Sequence, residues 1–240
     1  MAGAWDEAYE WTTLTDDERS DIKSQYAAAG VKLLVFVFGS SDVPTISGAD
    51  PIATADTMAA WITQYKLDGI DVDYEDFAAI DAVTEKLKCV HSSSHISRNL
   101  SSSAIHISLH TLRLRHGSLP RTSGGGGYLK VHEMVGDMID RYNVQFYNRK
   151  TLNLHGLLNM SYETWNGTAL FQIADNGVDL SKLVIGKPAT ASDASNGYMD
   201  PDTLATCLGT AKDRGWDGGA MVWQYPHGDE SWIASVRDKS

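Results

Sequence analysis

The sequence predicts an α/β fold built on a parallel sheet, either a (β/α)8 barrel or a doubly wound sheet. Short, continuous apolar runs recur along the chain, as in strands that are buried on both faces. The segments between these runs are long enough to hold helices. With 240 residues, 42% of them hydrophobic, the chain can bury the core of one large domain. We therefore expect residues 1–240 to form a single domain.

Strands and helices alternate through the first third of the chain. The segment TLTDDERSDIKSQYAAAG predicts a helix, because Thr15 and Glu18 form a capping box and Gly30 can end the last turn. The run VKLLVFVFG follows and predicts a strand that is buried on both faces. Residues 53–66 have apolar side chains at helical spacing. The run GIDVDYE then predicts a second strand, and FAAIDAVTEKLK predicts the next helix.

The second half of the chain repeats this alternation. Three further buried strands are predicted at YNVQFYN, KLVIGKP and GGAMVWQYP. The segments that separate them can again hold helices. In DPDTLATCLGTAKDRG, for example, Asp200 is a suitable N-cap and Pro201 suits the first helical turn.

One window departs from the composition of the rest. Residues 86–132 contain no Asp or Glu but hold six of the eight histidines. The Ser, Arg and His side chains could form an anion-binding surface, and a metal site could be built from four histidines, which are His91, His95, His106 and His110. We favour a third interpretation, an insert or a stretch foreign to the fold at about residues 86–123. The reason is that no carboxylate is at hand to orient a histidine ligand.

Composition also excludes several classes of partner. The net charge of −11 argues against nucleic acid or an anionic membrane as a partner. Cys89 and Cys207 form neither a metal-ligand spacing nor a disulfide framework. The first ten residues lack the basic and apolar regions of a signal peptide, so the sequence assigns no compartment. We expect a monomer that needs no metal and no cofactor.

The stretch LDGIDVDYED places three carboxylates on one face of a predicted inner strand. Side chains alternate along a strand, so Asp71, Asp73 and Glu75 share a face. A Mg²⁺ or Ca²⁺ site is one explanation. Acid–base catalysis fits better, because like charges at close range raise the pKa of one carboxyl group and keep it protonated. Glu75 lies nearest the carboxyl end of the strand, where it could act as a general acid, with Asp73 holding the proton and Asp71 tuning Asp73.

These residues carry a resemblance to a known family. The run DGIDVDYE, residues 68–75, matches the DGxDxDxE signature of glycoside hydrolase family 18 at every defined position. YNVQFYN and GAMVWQYP look like the sixth and eighth strands of that family. The sequences of these strands most resemble those of fungal proteins that are similar to endo-β-N-acetylglucosaminidases. The resemblance covers about residues 5–88 and 124–232.

The resemblance implies a TIM-type (β/α)8 barrel that hydrolyses β-1,4 links of N-acetylglucosamine with retention, in chitin or in the core of N-glycans. The 2-acetamido group of the substrate would be the nucleophile. Glu75 would be the general acid and base, and Asp73 would orient the acetamido group. Tyr147 and Gln145 would hold that group, and Trp223 would form an apolar floor under the sugar. The implied partner is an oligosaccharide that contains N-acetylglucosamine.

Counting strands by this resemblance predicts an incomplete barrel. VKLLVFVFG would be the third strand and GIDVDYE the fourth, so a first strand and most of a second are not found in the sequence. The fifth strand should fall in the Ser/His window, where AIHISLH is the best fit. An open barrel exposes unpaired strand edges. A catalytically inactive carbohydrate-binding protein, or a fragmentary family member, is therefore the alternative to an enzyme.

Overall fold

The computed structural model describes residues 7–39, 42, 44, 46–75, 104–110, 127–148, 154–159 and 167–237. Within these residues the chain forms one parallel sheet of six strands. The strands are β1 (Leu34–Phe38), β2 (Gly69–Asp73), β3 (Ala104–His110), β4 (Arg141–Gln145), β5 (Leu183–Pro188) and β6 (Ala220–Trp223).

Helices separate most of the strands. They are α1 (Glu7–Thr13), α2 (Asp16–Ala28), α3 (Pro51–Gln64), α4 (Gly127–Val135), α5 (Leu154–Leu158), α6 (Leu170–Asp175), α7 (Pro201–Lys212) and α8 (Glu230–Arg237). Single 3-10 turns precede β4 and β5, at Gly136–Met138 and Leu180–Lys182. Across the part of the chain that the structure describes, no helix is both long and apolar enough to cross a membrane.

The order of the strands decides between the two folds that the sequence left open. A doubly wound sheet reverses its strand order at a switch point. Here β1 to β6 are neighbours in chain order, and every pair is parallel. This sequential winding is that of a (β/α) barrel. The six strands are those that the family resemblance counts as the third to the eighth.

Helix boundaries confirm the capping signals of the sequence. Thr15 caps α2, and Glu18 closes the capping box by accepting from the Thr15 N–H at 2.7 Å. Asp200 caps α7 through the Thr203 N–H, with Pro201 as the first helical residue. The predicted helix FAAIDAVTEKLK lies outside the described residues.

The Ser/His window contributes one strand to the sheet. The run AIHISLH forms β3, which pairs with β2 on one side and β4 on the other. This confirms it as the fifth strand in the family count. His106 and His110 belong to this strand, whereas His91 and His95 lie outside the described residues. The rest of the proposed insert is also outside them.

The central strands carry most of the buried surface. All six residues of β5 are buried, as are four of the five in β4. Trp216, which follows α7, is 1% exposed and donates its indole N–H to the Leu183 carbonyl at 2.6 Å. Helix α7 packs on the sheet through one buried face, which consists of Leu204, Ala205, Cys207, Leu208 and Ala211.

The predictions that β1 is buried on both faces and that β6 is a buried strand are wrong. Only Val35 is buried in β1, Phe36 is 40% exposed, and no residue of β6 is buried. The physical reason is their place in the sheet, because each is an edge strand among the described residues. The rings of Phe36 and Trp223 lie 5.8 Å apart, so the two edges approach each other. The sheet is therefore strongly curved.

The first aspartate of the DGIDVDYE run has a structural role at the start of β2. The Asp68 carboxylate accepts from the Leu33 N–H at 2.8 Å and from the Lys23 ammonium at 2.9 Å. The Asp68 N–H in turn donates to the Leu33 carbonyl at 2.9 Å. These bonds join β2 to the residue before β1 and to α2. They lie at the amino end of the sheet, opposite Glu75.

We expect Asp68→Ala to lower the free energy of unfolding by about 1–3 kcal/mol, because the Leu33 N–H and Lys23 lose a charged acceptor. Urea denaturation measures this loss. Asp16→Ala is the control, since the Asp16 side chain is exposed and pairs with Arg19 within α2, and it should change stability much less. An equal effect of both changes would show that the Asp68 bonds do not support the fold.

Candidate active site

The catalytic candidates lie on an inner strand of the sheet. Strand β2 pairs with β1 and β3, so its carboxylates cannot be explained as a solvated edge. Asp73, the last residue of β2, is 4% exposed, and Asp71 and Glu75 are half-buried. Glu75 follows the strand by two residues. It therefore lies at the carboxyl end of the sheet, where barrel enzymes place their active sites.

Two amides of β4 reach these carboxylates. Asn143 donates from Nδ2 to Oδ2 of Asp71 at 2.7 Å, and Gln145 donates from Nε2 to Oδ1 of Asp73 at 3.1 Å. Strands β2 and β4 are not neighbours, because β3 lies between them. Side chains that meet across an intervening strand must project from the concave face of the sheet. The four residues therefore line the barrel interior.

Asp73 strongly prefers its protonated form. Burial raises the pKa of its carboxyl group to about 9, assisted by the charge and hydrogen bond of Glu75 and by the charge of Asp71. The hydrogen bond from Gln145 acts in the opposite direction but is the weakest of these effects. At neutral pH the Asp73–Glu75 pair thus shares a proton, as expected when like charges cannot both ionise in a buried site.

Tyr147 lies beside the same cluster. It follows β4 by two residues and is 3% exposed. Burial raises the pKa of its phenol, and the negative charges of Asp73, Glu75 and Asp71 raise it further. The hydroxyl consequently stays protonated and can donate a hydrogen bond into the site.

The opposite wall of the interior comes from β5 and β6. Gly186 pairs with Gln145 on one side and with Met221 on the other. A Cβ atom at Gly186 would lie 2.7 Å from the Met221 Cε atom and 2.8 Å from the Val144 carbonyl oxygen, so no larger residue fits there. Trp223 ends β6 one inward position beyond Met221, partly exposed and against Phe36.

All six residues singled out in the sequence fall at this end of the barrel, on the ends of three strands. The structure adds Asn143, Met221 and Phe36 to the site. Asn143 had a signal in the sequence, since it precedes Gln145 by two residues and so shares its face. Among the residues that the structure describes, no three or more His, Cys, Asp or Glu side chains are arranged to hold a metal ion.

Solved structures with the same fold include several family 18 glycosidases. A chitinase of glycoside hydrolase family 18 from Pseudoalteromonas aurantia superposes with a TM-score of 0.74 and 26% sequence identity, over 95% of this chain and 81% of that one. A family 18 chitinase from Chromobacterium violaceum gives 0.68 and 17%, over 92% and 67% of the two chains.

A fungal endo-β-N-acetylglucosaminidase from glycosyl hydrolase family 18 superposes with a TM-score of 0.66 at 19% identity, over 90% of this chain and 74% of that one. At this identity the likeness concerns the fold alone. No family model matches the sequence, and no curated protein matches it. The similarity to these glycosidases therefore rests on the comparison of structures.

The raised pKa of Asp73 has a consequence for stability. Between about pH 4, where an unfolded aspartate titrates, and about pH 9, the folded state holds a proton that the unfolded state has released. The contribution of Asp73 to stability therefore falls as pH rises through this window. Asparagine keeps an acceptor for Gln145 and carries no charge.

We expect Asp73→Asn to raise the melting temperature at pH 8 by about 3 °C or more, and to lose this advantage below about pH 4, where Asp73 is protonated in both states. Thermal melts across pH 3–8 measure the difference. Asp217→Asn, at an exposed position, is the control for a lost surface charge. A variant that is less stable than the parent at pH 8 would contradict the buried, shared proton.

Proposed function

We propose that this chain, a member of the chitinase-like superfamily of glycoside hydrolase family 18, hydrolyses β-1,4 links of N-acetylglucosamine in chitin or in the core of N-glycans. The observation that carries the proposal is the placement of Asp73 and Glu75 on one face at the carboxyl end of an inner strand, where burial and the charge of Glu75 raise the pKa of Asp73 to about 9. The similar proteins from Pseudoalteromonas aurantia and from a fungus are a chitinase and an endo-β-N-acetylglucosaminidase. These two activities define the substrate class that we propose.

In the first step Glu75 acts as the general acid. The proton that Glu75 shares with Asp73 passes from Glu75 to the glycosidic oxygen, which leaves both carboxylates ionised, and the bond from that oxygen to the anomeric carbon breaks. The carbonyl oxygen of the 2-acetamido group bonds to the same carbon from the opposite face, giving an oxazolinium-like intermediate. The substrate thus replaces the enzymatic carboxylate nucleophile, an exception to the usual pair of catalytic carboxylates.

In the second step Glu75 acts as the general base. It takes a proton from water, whose oxygen bonds to the anomeric carbon and reopens the ring of the intermediate. Two inversions give overall retention. Asp73 accepts a hydrogen bond from the acetamido N–H and stabilises the positive charge of the intermediate, and Asp71 tunes the proton affinity of Asp73.

Three further residues would hold the sugar. The Tyr147 hydroxyl, kept protonated by its surroundings, donates to the acetamido oxygen. Gln145 orients Asp73 through the bond between them and would contact the same acetamido group. Trp223 presents its ring as the apolar floor under the sugar.

A carbohydrate-binding protein without catalysis is the second candidate. The exposure of β1 and β6 favours it, because an incompletely covered interior can weaken a catalytic site while sparing sugar contacts. The presence of Glu75 beside Asp73 favours the enzyme. Binding and turnover, measured on the same preparation, separate the two.

We expect Glu75→Gln to lower kcat on chitin oligomers or a high-mannose glycopeptide by about 10³-fold or more, because it removes the general acid and base. Far-UV circular dichroism and oligosaccharide binding should change little. Glu10→Gln, on the exposed surface of α1, should leave turnover unchanged. Unchanged turnover in Glu75→Gln would show that Glu75 is not the general acid and base. A parent chain that binds the oligosaccharide but does not cleave it would support the second candidate.

Substrates that lack the 2-acetamido group should not react. We expect an aryl chitobioside to be cleaved and the matching aryl cellobioside to be cleaved at least about 10³-fold more slowly, because the missing nucleophile cannot be supplied by an enzymatic carboxylate. Release of the aryl alcohol measures both rates. Similar rates on the two compounds would rule out assistance by the substrate.

A further inference from the structure

A lysine is buried behind the active site. Lys187 of β5 is fully buried, with 0% of its surface exposed. Because Gly186 faces the barrel interior, Lys187 points to the helix side of the sheet. There its charge opposes the effect of burial, which raises the pKa of the Cys207 thiol on α7 to about 11. Lys187 therefore lies between β5 and α7, outside the site already described.

The Lys187 ammonium joins two loops at the carboxyl end of the sheet. It donates to the Phe146 carbonyl and to the Gly197 carbonyl, each at 2.8 Å. The Phe146 N–H also donates to the Gly186 carbonyl at 3.0 Å. The peptide units around Phe146 are thus held from β5 on both sides. The next residue is Tyr147, whose hydroxyl faces the carboxylates.

A second set of bonds fixes the chain just beyond Tyr147. The Asn148 N–H donates to the Asn196 carbonyl at 2.9 Å. The Asn148 side-chain oxygen accepts from the N–H and the hydroxyl of Ser195, at 2.8 and 2.9 Å. Asn148 has a φ of +58°, a conformation that asparagine tolerates better than most residues. Residues 195 and 196 of the loop 195–197 are therefore bound to the residue that follows Tyr147.

Gly197 brings this loop into direct contact with Tyr147. A Cβ atom at Gly197 would lie 2.6 Å from the Tyr147 Cα atom and 3.1 Å from its Cβ atom. The glycine also has a φ of +89°, which side chains disfavour. Only glycine permits the loop to lie flat against Tyr147 while its carbonyl reaches Lys187.

We propose that Lys187 is a positioning residue for Tyr147, acting through the carbonyls of Phe146 and Gly197 to fix the tyrosine hydroxyl against the substrate-binding carboxylates. A charged donor makes stronger hydrogen bonds than a neutral one, and burial strengthens them further. Replacing the lysine by an apolar residue leaves two carbonyls without this donor, so the two loops can separate. A displacement of about 1 Å at a catalytic group can cost about 10²-fold in rate.

Lys187→Met removes the ammonium and keeps most of the side-chain volume. Because the kinetic role of Tyr147 rests on the proposed function, we expect kcat to fall by about 10- to 100-fold with a smaller change in KM. Lys182→Met is the matched control. The Lys182 ammonium also donates to two backbone carbonyls at 2.8 Å, those of Gly136 and Ile139, but before the start of β5. It should leave kcat unchanged.

A double-mutant cycle separates positioning from general weakening of the fold. If Lys187 acts through Tyr147, adding Lys187→Met to Tyr147→Phe should lower kcat by less than about two-fold further. Additive losses would overturn the proposal. Should Lys187→Met fail to fold, Asn148→Gly tests the same loop contact, since it keeps the positive φ and removes the bonds to Ser195. It should lower kcat in the same non-additive way, and unchanged kcat would count against the proposal.

A spectroscopic readout keeps the proposal testable without turnover. 3-Fluorotyrosine can replace the ten tyrosines, and Tyr147→Phe identifies the ¹⁹F resonance of Tyr147. We expect that resonance to shift or broaden in Lys187→Met and to stay unchanged in Lys182→Met. An unchanged resonance in Lys187→Met overturns the positioning role. If the parent chain cleaves no substrate, the proposed function fails. The comparison of the two ¹⁹F resonances still shows whether Lys187 positions Tyr147.

Discussion

The site depends on a carboxyl group that must be buried and must keep a proton. Asp73 is 4% exposed and lies within the influence of Asp71 and Glu75. An isolated ionised carboxylate at such a position would be very costly. The cost is reduced in two ways, because Asp73 and Glu75 share a proton and Gln145 donates to Oδ1 of Asp73. The neighbours of Asp73 follow from this need, and so does the chemistry that we propose.

The curvature of the sheet follows from the same requirement. The amides that satisfy the carboxylates come from β4, which is separated from β2 by a whole strand. Asn143 and Gln145 reach Asp71 and Asp73 only because the sheet is concave on that side. Gly186 contributes by leaving its inward position empty, which gives Met221 room to approach. Fold and site are therefore specified by one set of inward-facing positions.

Local patterns in the sequence predicted most of the strands and the face that carries the carboxylates, but not the hydrogen-bond partners of these carboxylates. Alternation along DGIDVDYE placed Asp71 and Asp73 on one face, and caps such as Thr15 fixed helix starts. The hydrogen bond between Asn143 and Asp71 joins residues that are 72 positions apart, so no local pattern could predict it. The apolar run of β1 predicted full burial wrongly, because composition does not show where a strand lies in its sheet.

The two faces of the sheet divide stability from chemistry, and Lys187 connects them. On the inner face, the clustered carboxyl groups lower stability at neutral pH. The same cluster holds the proton that the proposed reaction uses. On the outer face, apolar packing of β4 and β5 against helices offsets that loss. Lys187 is a buried charge on the outer face, but its hydrogen bonds reach the loops that carry Tyr147. Its burial is hard to explain by packing alone, since a methionine of similar volume would avoid the desolvation of an ammonium group. A role in positioning Tyr147 on the inner face accounts for the burial of Lys187.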